Sequence, residues 1–418
     1  MQPLSALPEW VTLEHQVAQI LTKQETHGWY FDESAAWELE SALSEELRSI
    51  VEVLRARFPF VPGPEFTPKR DNKRHGYVEG ATLTRLKEFN PSSRDHIVWI
   101  LTNYDHFQSE TTTTSGKAKM DETALKSHGT GLGNQFLRIL EITKLLGMMS
   151  QGANAWLKLS TNHRLHHHCS VATSTHRCAH RNPNLAQVPS DERVRRLFLP
   201  TPGQVMVGAD LSGIELRMLA HYLSRYDEGR YADILLNGDI HQVNADKIGI
   251  SRKLVKNVTY AFLYGAGDQK IGLTYDKLLS TKAAKKKGGE IREAYIAAIP
   301  GLSHLLDAIK DAGDRGYIHA IDSRKILLDS PHKALNYLLQ GSAGVIAKRW
   351  MVLAHDNPYC CAQLAFVHDE LQYECDPEHA PLLQSHLESA ATEAGTYYNL
   401  RIRIDAEGKT GSNWAEVH

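Results

Sequence analysis

Cysteine is scarce in this chain: five in 418 residues, two of them adjacent at Cys360 and Cys361. That usage excludes a disulfide framework and suits buried thiols in a reducing compartment. Long apolar runs are missing as well. No stretch reaches the roughly 18 apolar residues of a membrane-spanning helix, and the N-terminus lacks the basic-then-apolar pattern of a secretory signal. Neither membrane insertion nor secretion is expected, and the expected location is the cytoplasm, that of the host cell for a viral protein. An excess of either charge is also absent. Lys and Arg total 47 against 49 acidic residues, a formal net charge of -2, so any nucleic-acid groove must come from local clustering. No internal repeat or low-complexity domain stands out beyond the short run Thr111–Thr114. With 42% hydrophobic and 23% charged residues, the chain can bury a sizeable core and has the length of two or three subdomains.

Against that plain background, one stretch carries chemistry. Arg252, Lys256, Tyr260 and Tyr264 recur at four-residue spacing and are followed by Gly265. On a helix each such step advances about 400°, so the four side chains form one slowly turning stripe. Arg grips phosphate oxygens as a fork and Lys as a point charge, while the aromatic rings can stack on a base or sugar. The stripe has the shape of a nucleoside triphosphate laid along a helix.

Two further segments keep it company. Gln204 to Arg217 reads as a short buried strand ending on Asp210, then a turn and a helix start. Gln363 to Glu374 reads as a strand, a tight turn carrying His368, Asp369 and Glu370, and a second strand. Each aspartate alone would pass for a turn or cap residue. Together they are what magnesium requires, a hard ion commonly held by one or two carboxylates plus substrate phosphates.

Asp210-Leu-Ser-Gly-Ile-Glu-Leu-Arg217, the Arg252 to Gly265 stripe and Val367-His-Asp-Glu370 resemble motifs A, B and C of the family A, polymerase I-like DNA polymerases. Gly238-Asp-Ile-His241, Phe262 to Asp268, Phe89 to His96 and Glu407 to Trp414 are similar to the replicative enzymes of T-odd (T-seven-type) podophages. The resemblance covers almost the whole chain. It implies an α+β right hand: thumb over 1–150 with a Pro/Gly/basic loop at 59–80, palm over 151–223 and 326–418 with an antiparallel sheet, and helical fingers over 224–325.

The resemblance also implies roles. Asp210 and Asp369 would hold two Mg2+ ions, with the backbone carbonyl of Leu211 as a further ligand, for in-line attack of a primer hydroxyl on the α-phosphorus. Arg252, Lys256 and His241 would contact the triphosphate, and Lys256 would donate a proton to pyrophosphate. Glu215 would lie under the incoming sugar, bonded to Tyr264, and so select deoxyribonucleotides; this disfavours a single-subunit RNA polymerase. Tyr260, where a Phe is the alternative, goes with acceptance of dideoxynucleotides. Arg177, Asn336, Gln340 and His368 would follow the nascent pair from the minor groove, where every Watson–Crick pair shows acceptors. Gln187 and Glu370 are further DNA-contact positions. His176 departs from the family's Thr-Gly-Arg, and a bulkier residue leaves the placement of Arg177 open.

The expected partners are primer-template DNA and deoxynucleoside triphosphates, with any exonuclease, helicase-primase or single-strand-binding protein supplied separately. The chain reaches the thumb within about ten residues, so no proofreading exonuclease is expected in it. The stretch between Val61 and Phe89 looks too short for a thioredoxin-recruiting insertion, so no thioredoxin clamp is expected, and the chain reads as a monomer. A DNA-binding module without activity is the non-enzymatic alternative, disfavoured by the presence of Asp210, Asp369, Arg252 and Lys256. Two other signals are weak: Ser115-Gly116-Lys117 lacks the upstream glycine of a phosphate loop, and His163, His166, His167, His168, Cys169, Cys178 and His180 match no common zinc-ligand spacing.

Overall fold

A computed structural model describes residues 7–108, 116–171, 173–277 and 279–418. Thr111–Thr114 and Ser115 lie outside the described residues. The chain divides into two compact units, one built from Met1–Ala36 with Trp156–His418 and the other from Trp37–Ala155.

The larger unit is organised around a four-stranded antiparallel sheet in the order Cys361–Val367, Glu370–Cys375, Val205–Leu211, Ala406–Gly411. Both strand expectations for the motif segments hold. Val205–Leu211 has its interior residues Met206 to Ala209 buried, and helix Ile214–Leu223 follows after a turn at Gly213, whose φ of 56° suits glycine. The Cys361–Val367 and Glu370–Cys375 strands are joined by only two residues, since Val367 faces Glu370 across the ladder. The first of the two, His368, takes φ 60°, the positive region that tight hairpin connections demand.

Helices Ala334–His355 and Ala380–Tyr397 cross near the sheet, Trp350 Nε1 donating to the Leu387 carbonyl at 2.8 Å. Seventeen of the 22 residues of the first are buried, so it is a core helix rather than an amphipathic surface one. The segment between the two halves of the sheet is mostly helical, with Arg230–Asn237, Ile240–Ile248, Arg252–Leu263, Asp268–Tyr275, Thr281–Ala298 and Leu302–Asp314 in succession, followed by a two-stranded ribbon of Tyr317–His319 and Lys325–Leu327. Asp268–Tyr275 and Thr281–Ala298 approach so closely that a Cβ at Gly288 would sit 1.7 Å from the Asp268 carbonyl oxygen. Glycine is required there for backbone contact.

The smaller unit packs helices Arg94–Tyr104, Glu122–His128 and Gly131–Leu146 around Phe89, Ile97, Ile100, Phe136 and Ile139. Here the structure differs from expectation. Residues 59–80 are not simply a loop: Phe60–Phe66 pairs antiparallel with Leu83–Glu88, with a register shift between Pro62 and Glu65. Proline is tolerated because this is a two-stranded ribbon, in which a strand needs a partner on one side only and the irregular stretch carries Pro62 and Pro64.

Candidate active site

The two aspartates expected to meet do so at one corner of the sheet. Asp210 lies opposite Glu370 in the ladder, and the next amide along, that of Leu211, donates to the Asp369 carbonyl at 2.9 Å. The strand thus continues its hydrogen bonding into the turn and brings Asp369 beside Asp210. Partial burial, then the charges of Asp369 and Glu370, push Asp210 up to about 7 although its side chain still meets solvent. Burial and the charge of Glu215 push Asp369 up to about 6, against the pull of Arg177. Carboxylates raised by one another form a cluster short of positive charge. Their hard oxygen donors fit a divalent cation such as magnesium.

Glu215 stands in the first turn of helix Ile214–Leu223 and is held on two sides. Arg177 Nη2 donates to its Oε1 at 2.6 Å, and the Tyr264 hydroxyl donates to the same oxygen at 3.3 Å. The Tyr264 contact is the one the sequence implied. Arg177 was expected only along the nascent pair; the structure gives its guanidinium a carboxylate partner as well. His176, before it, adopts φ 59°, the region natural to the glycine it replaces and one that histidine visits more readily than most residues.

Helix Arg252–Leu263 carries the stripe, with Ser251 capping its start and Tyr264 and Gly265 ending it, Gly265 at φ 72°. Lys256 is exposed, and the rings of Tyr260 and Tyr264 stack with centroids 6.4 Å apart. Arg252 Nε donates to Asp239 at 2.6 Å. Asp239 is a site residue the sequence reading missed. It caps helix Ile240–Ile248, accepting from the amides of His241 and Gln242, and its pKa is lowered, chiefly by Arg252. A signal existed: an aspartate just before a helix start in the Gly238 to His241 segment is an N-cap pattern. His241 is buried beside Tyr260 and its Nδ1 has no partner, so it lines the stripe from below rather than projecting freely.

Asn336 and Gln340 occupy successive turns of the core helix, both half-buried. Asn336 Nδ2 donates to the Leu263 carbonyl at 3.1 Å and so ties that helix to the end of the stripe. His368 is exposed at the turn tip, its pKa lowered by burial of its environment and by Arg177. Gln187 is exposed at the end of a single 3-10 turn, Leu185–Gln187.

Glu370 is a correction. Expected among the DNA contacts, it is 6% exposed and its carboxylate accepts from Trp414 Nε1 at 2.6 Å, Gln372 Nε2 at 2.7 Å and His418 Nδ1 at 3.1 Å. The C-terminal segment, through Trp414 and His418, covers it. Burial raises its pKa, but these donors outweigh that and the net shift is downward. Trp414 and His418, 44 and 48 residues away, gave no local signal of this role.

Residues 71–416 match the sequence profile of DNA polymerase family A. The DNA-directed DNA polymerases of Escherichia phage T7 and Enterobacteria phage T3 are each 31% identical to this chain, over 98% of it and 70% of their own length. DNA polymerase I of Caldicellulosiruptor bescii is 28% identical over 66% of the chain and 35% of its own length. Among solved structures, the polymerase domain of Pol1 from M. smegmatis in complex with DNA primer-template and dNTP superposes with a TM-score of 0.77 at 22% identity, covering 97% of this chain and 70% of that one.

Proposed function

Since the chain belongs to DNA polymerase family A and is a DNA-directed DNA polymerase, we propose that it extends a primer 3′ end on a DNA template by two-metal phosphoryl transfer, in the replication of a phage or phage-like genome. The observation that carries this is the meeting of Asp210 and Asp369 at one sheet corner, in the same unit as the Arg252–Lys256 stripe. The phage setting rests on the similarity to the T7 and T3 enzymes.

Asp210 and Asp369 are the proposed magnesium ligands, with the Leu211 carbonyl beside them. When bound, the ions supply Lewis-acid activation of the primer hydroxyl and neutralise charge on the leaving pyrophosphate. The protein's own part is positioning. Arg252 spends Nε on Asp239, which holds the guanidinium in place while its remaining donors serve phosphate oxygens. Lys256, one turn on, meets the charge that grows on pyrophosphate and donates the proton it needs; an unchanged single-turnover rate in Lys256→Ala would refute that donation. Glu215, braced between Arg177 and Tyr264, fills the space a ribose 2′-hydroxyl would need. Arg177, His368, Asn336, Gln340 and Gln187 are the proposed DNA-side residues. In this reading the thumb spans 1–150, of which residues from Trp37 on lie in the unit Trp37–Ala155 while Met1–Ala36 belongs to the larger unit; the fingers span 224–325, and the palm, 151–223 and 326–418, holds the four-stranded sheet. Processivity through thioredoxin is not part of the reading, since only the short ribbon Phe60–Phe66 with Leu83–Glu88 stands at the relevant position; a tight, activity-enhancing thioredoxin complex would overturn this.

Primer extension on a primed template with magnesium, comparing deoxy- with ribonucleotides and wild type with Asp369→Ala, tests the proposal. Templated deoxynucleotide addition, lost in the variant, is expected. Binding of primed template without extension by the wild type would defeat the catalytic assignments.

A further inference from the structure

The histidine- and cysteine-rich stretch divides in the fold. His163, His166 and His168 turn toward residues near the N-terminus: His163 Nδ1 lies 3.5 Å from Glu33, His166 Nδ1 donates to the Glu25 carbonyl at 2.8 Å, and His168 Nδ1 to the Glu25 carboxylate at 2.9 Å. His167, Cys169 and His180 go the other way. All three are buried, and one ligand atom from each lies within 4.8 Å of the others.

Their convergence follows from strand geometry. Cys169 and His180 are direct partners in the antiparallel pair His168–Ser170 and Ala179–Arg181, so they share a face. His167 precedes Cys169 by two residues and falls on that same face. Cys169 Sγ is 3.3 Å from His180 Nδ1. Tetrahedral zinc with bonds of about 2.1 Å to nitrogen and 2.3 Å to sulfur sets such donors about 3.6 Å apart, a few tenths of an ångström more than this hydrogen-bonded pair shows. Gln24 Nε2 reaches both His167 Nε2 at 3.1 Å and Cys169 Sγ at 3.5 Å. Even so, among the described residues His167 Nδ1 remains buried without a partner. Protein hydrogen bonds leave the cluster unsaturated, a costly state for polar groups in a core.

We propose that His167, Cys169 and His180 bind a zinc-class ion, with water as fourth ligand. Two imidazoles and a thiolate are a donor set that selects zinc over the hard magnesium of the carboxylate corner. Binding forms the sulfur–metal bond as the Cys169 thiol proton leaves to solvent. The ion is structural. The two strands it clamps enclose Arg177, which holds Glu215, and the His180 ring packs edge-on against His368, beside Asp369, at 6.4 Å.

The test uses the full chain, freed of metal by chelator and titrated with Co2+ as an optical probe for zinc. One equivalent should bind with the near-ultraviolet charge-transfer band of a cobalt–thiolate bond. The band should persist in Asp210→Asn and disappear in Cys169→Ser. Zn2+ should raise the unfolding midpoint of wild type and not of Cys169→Ser. Absence of any thiolate band in wild-type protein overturns the proposal without recourse to a variant that must fold. A band surviving in Cys169→Ser also overturns it, by moving the ligand to another cysteine.

Discussion

Asp369 and Glu370 are neighbours in sequence at the same sheet corner, and the structure treats them oppositely. Asp369 is half-buried among other carboxylates and rises to about 6; Glu370 is nearly inaccessible, yet its pKa falls below the usual value. Burial alone would raise both. The difference lies in donors: Glu370 receives three hydrogen bonds from Trp414, Gln372 and His418, while Asp369 faces Glu215, offset by Arg177 at a distance and by its own backbone amide. A carboxylate supplied with donors is structural, and one left short of them is poised to take a cation.

The sharpest way to break this contrast is Asp369→Asn. Primer extension should fall on the order of a thousandfold, the scale of removing one electrostatic group from a phosphoryl-transfer site. Stability should move the other way. A carboxylate whose folded pKa is raised binds its proton more tightly when folded, so metal-free stability declines as pH rises from about 4 toward 7. Asn removes that penalty, and in chelator at pH 8 the variant should unfold at a higher temperature than wild type. Added magnesium should close the gap by stabilising wild type alone; a variant less stable than wild type in chelator would contradict the account.

Glu370→Ala probes the satisfied partner. It strands the Trp414 and Gln372 donors in the interior and should cost about 3 kcal/mol in urea unfolding at pH 7. Gly208→Ala reaches the same network from behind. A Cβ there would lie 2.5 Å from the Val417 carbonyl oxygen and 2.6 Å from Gln372 Nε2, the donor to Glu370. Overpacking of this kind should cost about 2 kcal/mol, with the carboxylate pair Asp210 and Asp369 left chemically unchanged.

The parts of the site that the sequence made legible are those whose partners are close in sequence or share a period. The stripe from Arg252 to Tyr264 follows from four-residue spacing, and the strand, two-residue turn and strand around Asp369 follow from apolar runs broken by polar residues. The fate of Glu370 was not legible, because the donors that bury it arrive with the chain's last residues. Proline, glycine and basic content at 59–80 pointed to a loop, and only the pairing of Phe60–Phe66 with Leu83–Glu88 makes part of it a strand. Sequence spacing did not single out Cys169 and His180 for a similar reason: cross-strand register, not sequence interval, brings them together.

The smallest expected effect isolates one donor. Trp414→Phe removes the 2.6 Å bond from Nε1 to Glu370 and trims the ring packed against Trp29, 4.6 Å between centroids. A hydrogen bond to a charged group is worth about 1.5 kcal/mol. The loss should be pH-dependent in a definite direction. Glu370 has its folded pKa depressed, so the stability it contributes is present above its unfolded value and is lost as pH falls through the folded one. Removing a donor lets the folded pKa drift back up, which makes the variant's deficit larger at pH 7 than at low pH, where the carboxyl is protonated in both and the lost ring packing remains. Urea unfolding at pH 7 and at pH 3 separates this from a packing defect, which would persist at both.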